Sequence, residues 1–306
     1  MTYHAVVTPL AQMQPRHWDG WLTAQAEPLF QHSYSYGEVM GTEFASPLCV
    51  QVYRKDTVAA QAICFSYRAG PIAWHIVPTG LCLGSGCEVQ QAYRALLAAL
   101  SDQRLSLCVI SAPAGALPSN PVMTGGTDAI WNLPQTDTQL EQAMQQKWRN
   151  RLYKARTEDM TVDVGGADSS AMAWLEREEM AQRQVKKYRM LPANTPRRLA
   201  KASGAIAAIC VAVRCSGQYV AAASFICFGS EAVYFSGVTT ALGRPKSAQH
   251  LVLAHAAEFL VRRGYKRINL GLINTHAAPG LARFKLGTGA QASPRMSTYT
   301  SIGRTK

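Results

Sequence analysis

Residues 58–65 read VAAQAICF, and residues 220–228 read VAAASFICF, which aligns with the first stretch once a single gap is allowed. Both stretches are short, continuous apolar runs, and each follows another strand-like run across a short polar turn. Runs of this length and composition favour buried β-strands, and the turns between them favour hairpins. The recurrence predicts two modules that are built in the same way.

The order of elements around these two runs also recurs. The first half is predicted to contain a helix at 15–30, strands at 47–54, 58–68 and 71–78, a helix at 88–103 and a strand at 105–113. A loop rich in Pro, Gly and Ser follows at 113–126. The second half is predicted to contain helices at 136–158 and 168–188, strands at 207–217, 219–229 and 232–239, a helix at 246–264 and a strand at 266–272.

Three strands, a helix and a further strand form the arrangement of the GNAT fold, the acyl-CoA N-acyltransferase fold. We therefore predict an α/β protein with two tandem GNAT-like modules, each a mixed sheet flanked by helices. At 306 residues the chain is also long enough to build two hydrophobic cores. The predicted domains are residues 1–136 and residues 137–306.

Composition excludes several classes of protein. No apolar run approaches the ~20 residues that span a bilayer, and the N-terminus MTYHAVVTPL lacks the pattern of a signal peptide. We expect a soluble, cytoplasmic protein that does not insert into a membrane. The cysteines lie mostly in apolar runs and are interpreted as reduced thiols. Cys82 and Cys87 lack a second pair of ligands, and His250 and His255 lack partners at metal spacing, so neither a metal nor another cofactor is expected.

The net charge of +12 is divided unequally along the chain. Residues 1–145 carry a net charge of −4, whereas residues 146–306 carry +16. This asymmetry implies an anionic partner for the second half, with nucleic acid, nucleotide phosphates and a membrane surface as candidates. A surface that only keeps the protein in solution is the alternative interpretation.

Cations are densest in residues 146–160, QKWRNRLYKARTEDM, on the helix that opens the second half. Trp148, Leu152 and Ala155 recur at helical spacing and are predicted to face the core. The other stripe then carries Lys147, Arg151 and Lys154, with Arg149 and Arg156 beside it. Acidic partners occur only at Glu158 and Asp159, so this stripe is predicted to bind an anion, and a solvated basic face is the alternative.

A second candidate for anion binding is the loop at 242–247, which precedes a long helix. It contains Arg244 and Lys246, and Ser247 is predicted to be the helix N-cap. Exposed N–H groups beside two cations suit a pyrophosphate or a phosphodiester. The loop lacks the R/Q-x-x-G-x-G/A run that usually binds coenzyme A in GNAT enzymes, and it is also compatible with a simple cap on the helix.

The segment GLARFKLGTGA, residues 280–290, places Phe284 and Lys285 on a short helical turn before a glycine-rich bend. We predict that this turn presents a cation to a reacting or phosphorylated group. The alternative is a lysine whose stem packs at the end of a short helix while its amine reaches water.

Two of these segments resemble FemAB-like proteins, which are tandem GNAT-fold acyltransferases. KWRNRLYKARTEDMTV is similar to the start of the second domain of that family, and GYKRINLGLINTHAAPGLARFKLGTGA is similar to its strand, loop and GL..FK..FG turn. The resemblance covers roughly residues 145–290. Many members transfer an amino acid from aminoacyl-tRNA to an amine, typically that of a peptidoglycan precursor peptide.

The resemblance implies roles for individual residues. Phe284 and Lys285 match the Phe-Lys turn of the family, where the lysine faces the reaction centre and the acceptor end of the tRNA. An ammonium fixed there stabilises the negative charge that develops on a carbonyl oxygen when an amine attacks an ester. The residues predicted to bind tRNA or phosphate are Lys147, Arg149, Arg151, Lys154, Arg244, Lys246 and Arg283.

The chain departs from the family pattern near this turn. The family's D-L-G-G is NLGL here, so that Asn269 and Leu272 replace Asp and Gly, and Thr288 replaces the final aromatic. Asn269 and Asn274 are predicted to contact the substrate. No general base stands out, and the nucleophile of the family's reaction is the substrate's own amine, so a covalent triad is not required.

Three functional hypotheses follow from the sequence. The first is an N-acyltransferase that moves an aminoacyl group from aminoacyl-tRNA to the amine of a peptide or small molecule, either a peptidoglycan precursor or a natural-product intermediate. The second keeps the fold but uses an acyl-coenzyme A or acyl-carrier thioester. The third is a non-catalytic protein that binds RNA or a membrane through the same basic surface.

Overall fold

The computed structural model describes residues 2–41, 46–70, 72–101, 105–134 and 136–303. The strands are β1 (Tyr3–Pro9), β2 (Ser46–Arg54), β3 (Thr57–Ala69), β4 (Ile72–Val77), β5 (Cys82–Leu83), β6 (Leu105–Ala112), β7 (Thr127–Asn132), β8 (Thr161–Gly166), β9 (Ala207–Cys215), β10 (Gln218–Phe228), β11 (Glu231–Thr239), β12 (Arg267–Leu272), β13 (Gln291–Pro294) and β14 (Ser297–Gly303).

The α-helices alternate with these strands. They are α1 (Pro15–Thr23), α2 (Tyr34–Gly41), α3 (Val89–Leu100), α4 (Asp137–Ala143), α5 (Gln146–Thr157), α6 (Ser170–Lys186), α7 (Thr195–Lys201), α8 (Ala248–Arg262) and α9 (Pro279–Leu286). Short 3-10 helices lie at Leu10–Gln12 and Phe30–His32. Within the described ranges, none of these helices has the length and apolar character needed to cross a bilayer.

The first compact unit comprises residues 1–126, 202–206 and 294–306. Its sheet has the order β1-β2-β3-β4-β6-β14, and β5 pairs with β3. The contact between β4 and β6 is parallel, as a helical crossover through α3 requires, whereas β14 pairs antiparallel with β6. The apolar face of α3 packs on this sheet and buries Tyr93 and Leu96 completely.

The segment 202–206 of this first unit is held by carboxylates from the N-terminal helices. Asp19, which is only 2% exposed, accepts hydrogen bonds from the N–H groups of Tyr34 and Ala205, each at 2.8 Å. Glu38 accepts a bond from the N–H of Ser203 at 2.9 Å. Burial raises the pKa of Asp19, and the two backbone bonds oppose that effect.

The second compact unit comprises residues 127–201 and 207–293. Its sheet has the order β13-β7-β12-β11-β10-β9-β8. The contact between β11 and β12 is parallel, and α8 provides the crossover between them. Helices α5 and α8 cover one face of this sheet, where they bury a core that includes Phe225, Leu152 and Leu253, while α6 packs on the other face.

The predicted recurrence of elements is present in both units. The two similar runs become β3 and β10, and each is the second strand of an antiparallel hairpin and pairs with a third strand on its other side. Seven of the cysteines are buried and Cys87 is half-buried, and all eight are free thiols.

Two predicted helices differ from the observed ones. The helix predicted at 15–30 ends at Thr23, and Pro28 disfavours a continuation to residue 30 because helical backbone is unfavourable in the residue before a proline. The helix predicted at 136–158 is divided into α4 and α5, and Gln145 between them is extended and donates its N–H to the carbonyl of Gly287. The predicted strand start at Pro71 and helix end at 102–103 lie outside the described residues.

The observed units also differ from the predicted division at residue 136. Strand β7 pairs with β12 and therefore lies in the second unit, although it precedes the predicted boundary. Strand β14 pairs with β6 and lies in the first unit, although it ends the chain. Both differences arise from strand pairing between distant parts of the sequence, which a linear division cannot represent.

Candidate active site

The candidate site lies in the second unit, where β11 and β12 separate. These strands pair only through Glu231, Ala232 and Val233, although both are fully described and β11 continues to Thr239. A β-bulge interrupts the opposite edge of β11 at the same level, because Tyr234 pairs with Phe225 and Ser236 pairs with Ser224. The separated strands leave main-chain groups of β11 without partners in β12, and such groups are available to a ligand.

Lys285 lies on α9 beside the end of β12. Its side chain is only 8% exposed, and its Nζ donates a hydrogen bond to the carbonyl oxygen of Leu272 at 2.9 Å. The alternative interpretation, an amine that reaches open water, is therefore wrong. A buried ammonium has few water molecules to screen it, so it acts strongly on charge that develops nearby.

The end of β12 is shaped by a second β-bulge, in the pairing of β12 with β7. The register shifts between Asn269 and Leu272, and Gly271 adopts φ +76°, a left-handed conformation that side chains other than glycine disfavour. Asn269 Oδ1 accepts the N–H of Gly271 at 2.8 Å, and its Nδ2 donates to Asp128 Oδ2 at 3.1 Å. Asp128, which is 7% exposed, was not among the predicted site residues; the available signal was a carboxylate directly before the apolar run AIW of β7.

Phe284 packs in a cluster of rings beside Lys285. Its ring centroid lies 5.0 Å from that of His250 and 6.1 Å from that of Trp148, and His250 lies 4.8 Å from Trp148. Burial, together with the positive charge of Arg151, lowers the pKa of His250 to about 4, so this imidazole is neutral at pH 7. The cluster fixes α9 against α5 and α8, and His250 is a packed core residue.

Local contacts hold the turn after α9 in place. Thr288 is fully buried, donates its hydroxyl to the carbonyl of Lys285 at 2.7 Å and accepts the N–H of Ala290. A side chain at Gly287 would have its Cβ 2.6 Å from the ring of Trp148, so glycine is required there for close packing. The substitution of Thr288 for the family's aromatic residue is therefore compatible with a fixed position for Lys285.

The predicted basic stripe of α5 faces solvent, and Trp148, Leu152 and Ala155 on the same helix are buried. The predicted phosphate-binding residues divide into two groups by their contacts. Four of these predicted residues are exposed and form no hydrogen bond or ion pair with the described part of the chain: Lys147, Arg151, Arg244 and Arg283.

The other three cations are already engaged by the protein. Lys154 Nζ donates to the carbonyl of Pro245 at 3.0 Å, and Arg149 Nη1 donates to the carbonyl of Glu141 at 3.2 Å. Lys246 forms an ion pair with Glu158, which lowers the pKa of that carboxyl and raises the pKa of the lysine. The contacts of Lys154 and Lys246 join α5 and its C-cap residue to the loop before α8, and the contact of Arg149 joins α5 to α4. These three cations therefore have a structural role that charge counting did not reveal.

The structure also describes the surroundings of two further predicted residues. Ser247 is the N-cap residue of α8, as predicted, but its backbone is left-handed and its side chain makes no capping hydrogen bond. Asn274 is exposed, and its Oδ1 accepts the N–H groups of His276 and Ala277, which makes a local turn. Among the residues that the structure describes, no three His, Cys, Asp or Glu side chains gather as metal ligands would.

The fold is similar to several solved structures. FemX matches with a TM-score of 0.77 and 10% identity over 98% of this chain and 97% of its own. L-PGS from Bacillus licheniformis matches with a TM-score of 0.55 and 12% identity over 94% and 91%. A tandem GNAT protein from the clavulanic acid biosynthesis pathway matches with a TM-score of 0.51 and 14% identity over 99% and 100%.

No protein-family model and no curated protein matches the chain. At identities of 10–14%, the structural likeness establishes the fold. The predicted α/β architecture of tandem GNAT-like modules is confirmed, and so, at the level of the fold, is the resemblance to FemAB-like proteins.

Proposed function

We propose that the protein is an N-acyltransferase that moves an aminoacyl group from aminoacyl-tRNA to the amine of a peptide or small-molecule acceptor. The acceptor is a peptidoglycan precursor or a natural-product intermediate. The reaction takes place in the cytoplasm, where aminoacyl-tRNA is made. The second unit carries the chemistry, and the substrate's own amine is the nucleophile.

One observation carries this proposal: the amine of Lys285 is 8% exposed and is held at the end of β12, beside the place where β11 and β12 separate. When the acceptor amine attacks the ester carbonyl, the carbonyl oxygen gains negative charge. A fixed ammonium stabilises this charge more than it stabilises the neutral ester, and that difference accelerates the reaction. Phe284 supports the lysine through its ring contacts.

The unpaired cations support a donor with a phosphate backbone. Lys147 and Arg151 lie one helical turn apart on α5, and Arg283 lies on the same helix as Lys285. Cations without internal partners can neutralise phosphates and release condensed counterions without breaking a protein contact. We propose that Lys147, Arg151, Arg244 and Arg283 contact the acceptor arm of the tRNA, while Lys154, Arg149 and Lys246 shape the surface between them.

Substrate contacts from the end of β12 complete the proposal. Asn269 shapes the bulge beside Lys285 through its two hydrogen bonds. We propose that it contacts the reacting group from this position. Asn274 lies on the exposed loop between β12 and α9, where we propose that it contacts the acceptor.

The test is an incubation of the protein with a mixture of tRNAs that carry radiolabelled amino acids, together with a pool of amine acceptors from cell extract. We expect the label to leave one kind of tRNA and to appear in an amide that survives mild base. Ribonuclease treatment of the charged tRNA before the incubation should abolish the transfer. Label that remains on every tRNA would contradict the proposal.

An acyl-coenzyme A donor is the second candidate, and the separation of β11 and β12 favours it. Main-chain groups at such an opening can bind an extended amide-containing chain by adding to the strand edge. Transfer from acetyl-coenzyme A that is insensitive to ribonuclease would favour this candidate over aminoacyl-tRNA.

A further inference from the structure

The last two turns of α6 expose apolar side chains to solvent. Val185 is 82% exposed and Met180 is 55% exposed, although large apolar residues are usually buried. Ala181 and Gln184 are also exposed, and the four residues form two adjacent i,i+4 rows, so they share one face of the helix. Leu175, on the opposite face of α6, packs into the core. The exposed face therefore adds apolar surface that the described core does not use.

The loop that follows α6 continues this surface in a fixed conformation. Lys187 ends the helix with left-handed backbone and donates its N–H to the carbonyl of Arg183. Arg183 Nη1 donates to the carbonyl of Met190 at 3.1 Å, and its Nη2 donates to the carbonyl of Leu191 at 2.9 Å. Met190 is 38% exposed. The loop thus lies beside α6 and adds a third apolar side chain to the surface.

A buried ion pair holds Arg183 in place. Glu179 is only 1% exposed, and it accepts bonds from Nε and Nη2 of Arg183 at 3.1 and 2.8 Å. The hydroxyl of Tyr188 also donates to Glu179, at 2.9 Å. An arginine that binds both a carboxylate and main-chain carbonyls fixes the loop before any partner arrives, so little ordering entropy is lost on binding.

Cations surround these apolar residues. Glu179 is already bound to Arg183, and Glu178 is half-buried, so acidic side chains do not match the exposed cations in number. Four basic residues of this segment are exposed, and all except Lys186, which donates to Gln182, form no hydrogen bond or ion pair with the described residues: Arg177, Lys186, Lys187 and Arg189. The exposed side chains of residues 177–190 thus form a basic and apolar surface, the α6 surface.

Three kinds of partner fit this surface to different degrees. An RNA backbone neutralises the cations but leaves Val185 and Met180 in water. In a symmetric dimer the surface faces itself, so the same cations are brought together and repel. The boundary of an anionic bilayer accepts both parts, because its headgroup phosphates attract the cations and its acyl chains accept the apolar side chains.

We propose that the α6 surface docks the protein on an anionic lipid surface. Val185, Met180 and Met190 lie at the acyl boundary, and the cations around them lie among the headgroup phosphates. Docking of this kind needs no helix that crosses the bilayer. It goes beyond the proposed function and does not depend on it, so its test requires no enzymatic activity.

The charge is tested by co-sedimentation of the full-length protein with lipid vesicles. The vesicles contain phosphatidylcholine alone or phosphatidylcholine with about a third phosphatidylglycerol. We expect binding to the anionic vesicles that weakens as salt is added, and little binding to the neutral ones. Lys187→Gln with Arg189→Gln should weaken binding about thirtyfold, since each cation near the surface contributes about fivefold. The matched control, Arg262→Gln with Lys266→Gln, removes two exposed cations elsewhere in the second unit and should bind like the wild-type protein.

The apolar contribution is tested at constant charge. Val185→Gln with Met180→Gln should bind the anionic vesicles about tenfold more weakly, because the two side chains no longer enter the acyl boundary. Ile302→Gln is the matched control at a 72% exposed residue of the first unit, and it should bind like the wild-type protein. All of these variants should keep the wild-type thermal midpoint, because the substituted side chains are exposed.

Several results would overturn the proposal. One is a wild-type protein that does not sediment with anionic vesicles. Another is equal binding by the two charge variants, or wild-type binding by the Val185 and Met180 variant, since adsorption would then depend on net charge alone. A third is an apolar variant that binds vesicles normally but loses affinity for uncharged tRNA or dissociates an oligomer in size-exclusion chromatography, because the surface would then bind RNA or a second copy of the chain. If the protein transfers no amino acid, the proposed function fails, while the vesicle measurements still decide the role of the α6 surface.

Discussion

The unpaired cations of α5 give the sharpest prediction about the donor. Lys147 and Arg151 make no hydrogen bond or ion pair with the described residues, whereas Lys154 and Arg149 on the same helix donate to backbone carbonyls. We expect the double variant Lys147→Ala with Arg151→Ala to lose affinity for tRNA. The double variant Lys154→Ala with Arg149→Ala removes the same charge and is the matched control.

The magnitude follows from counterion release. Each phosphate contact contributes about 0.7 to 0.9 to the slope of log affinity against log salt concentration, so the loss of two contacts makes the slope shallower by about 1.4 to 1.8. Between about 50 and 200 mM salt, the wild-type affinity should therefore fall about tenfold more than the affinity of the Lys147 and Arg151 variant. The control variant should keep most of the wild-type slope.

Fluorescence anisotropy of labelled, uncharged tRNA, measured at several salt concentrations, gives these slopes directly. Thermal unfolding of each variant shows whether the fold is intact. If both double variants reduce the slope equally, binding depends on net charge alone, and the division of the cations by their contacts would be refuted. If neither variant reduces it, α5 does not contact the tRNA.

Three further predictions concern stability. The pKa of His250 is about 4 in the folded protein against 6.5 in the unfolded chain, so the unfolded state binds more protons between these values. The free energy of unfolding should therefore decrease by up to about 3 kcal/mol as the pH is lowered from about 6.5 to about 4. Urea unfolding of His250→Phe should show a smaller decrease over this range, and an equal decrease would contradict the assignment. Asp19→Ala leaves the N–H groups of Tyr34 and Ala205 without their acceptor and should lower the free energy of unfolding by about 2–4 kcal/mol. The control Asp168→Ala should not change the urea midpoint. A loss below about 0.5 kcal/mol in Asp19→Ala would show that the carboxylate does not hold segment 202–206. Thr288→Val keeps the side-chain volume but removes both hydroxyl hydrogen bonds, and it should lower the free energy of unfolding by about 1–2 kcal/mol in the same measurement. A variant as stable as the wild-type protein would show that these bonds do not hold the turn.

The central strands of both sheets were predictable because their apolar runs are long and continuous. β3 and β10 contain continuous runs of buried residues, so side chains on both faces are buried and the sequence shows no alternation. Strands β1, β5, β7, β8, β13 and β14 were not predicted, since most are short or partly exposed and carry a weaker pattern. β14 pairs with β6, where Ser297 is opposite Ala112, and such a distant partner leaves no local signal.

The break between α4 and α5 also lacks a signal in the sequence. Met144 and Gln145 are compatible with a continuous helix, and neither Gly nor Pro interrupts them. The chain turns there because the N–H of Gln145 bonds to the carbonyl of Gly287 in the turn after α9. A tertiary contact thus overrides local propensity.

Part of the candidate site was predictable because it carries a local sequence pattern. Phe284 and Lys285 were identified from a short local pattern, and the structure brings them to the end of β12. Asp128 was missed because its hydrogen bond to Asn269 spans 141 residues. The absence of the family's Asp at position 269 indicated a lost carboxylate, whereas the structure shows a carboxylate on the adjacent strand.

The most direct test of the account is the single-turnover rate of aminoacyl transfer by Lys285→Met, measured beside the wild-type protein with the same charged tRNA. Met retains the length of the side chain but removes the ammonium, so we expect the rate to fall about a hundredfold, equivalent to roughly 3 kcal/mol, with unchanged tRNA affinity. A variant that binds tRNA and transfers the amino acid at the wild-type rate would contradict the claim that this buried ammonium stabilises the charge that develops on the carbonyl oxygen.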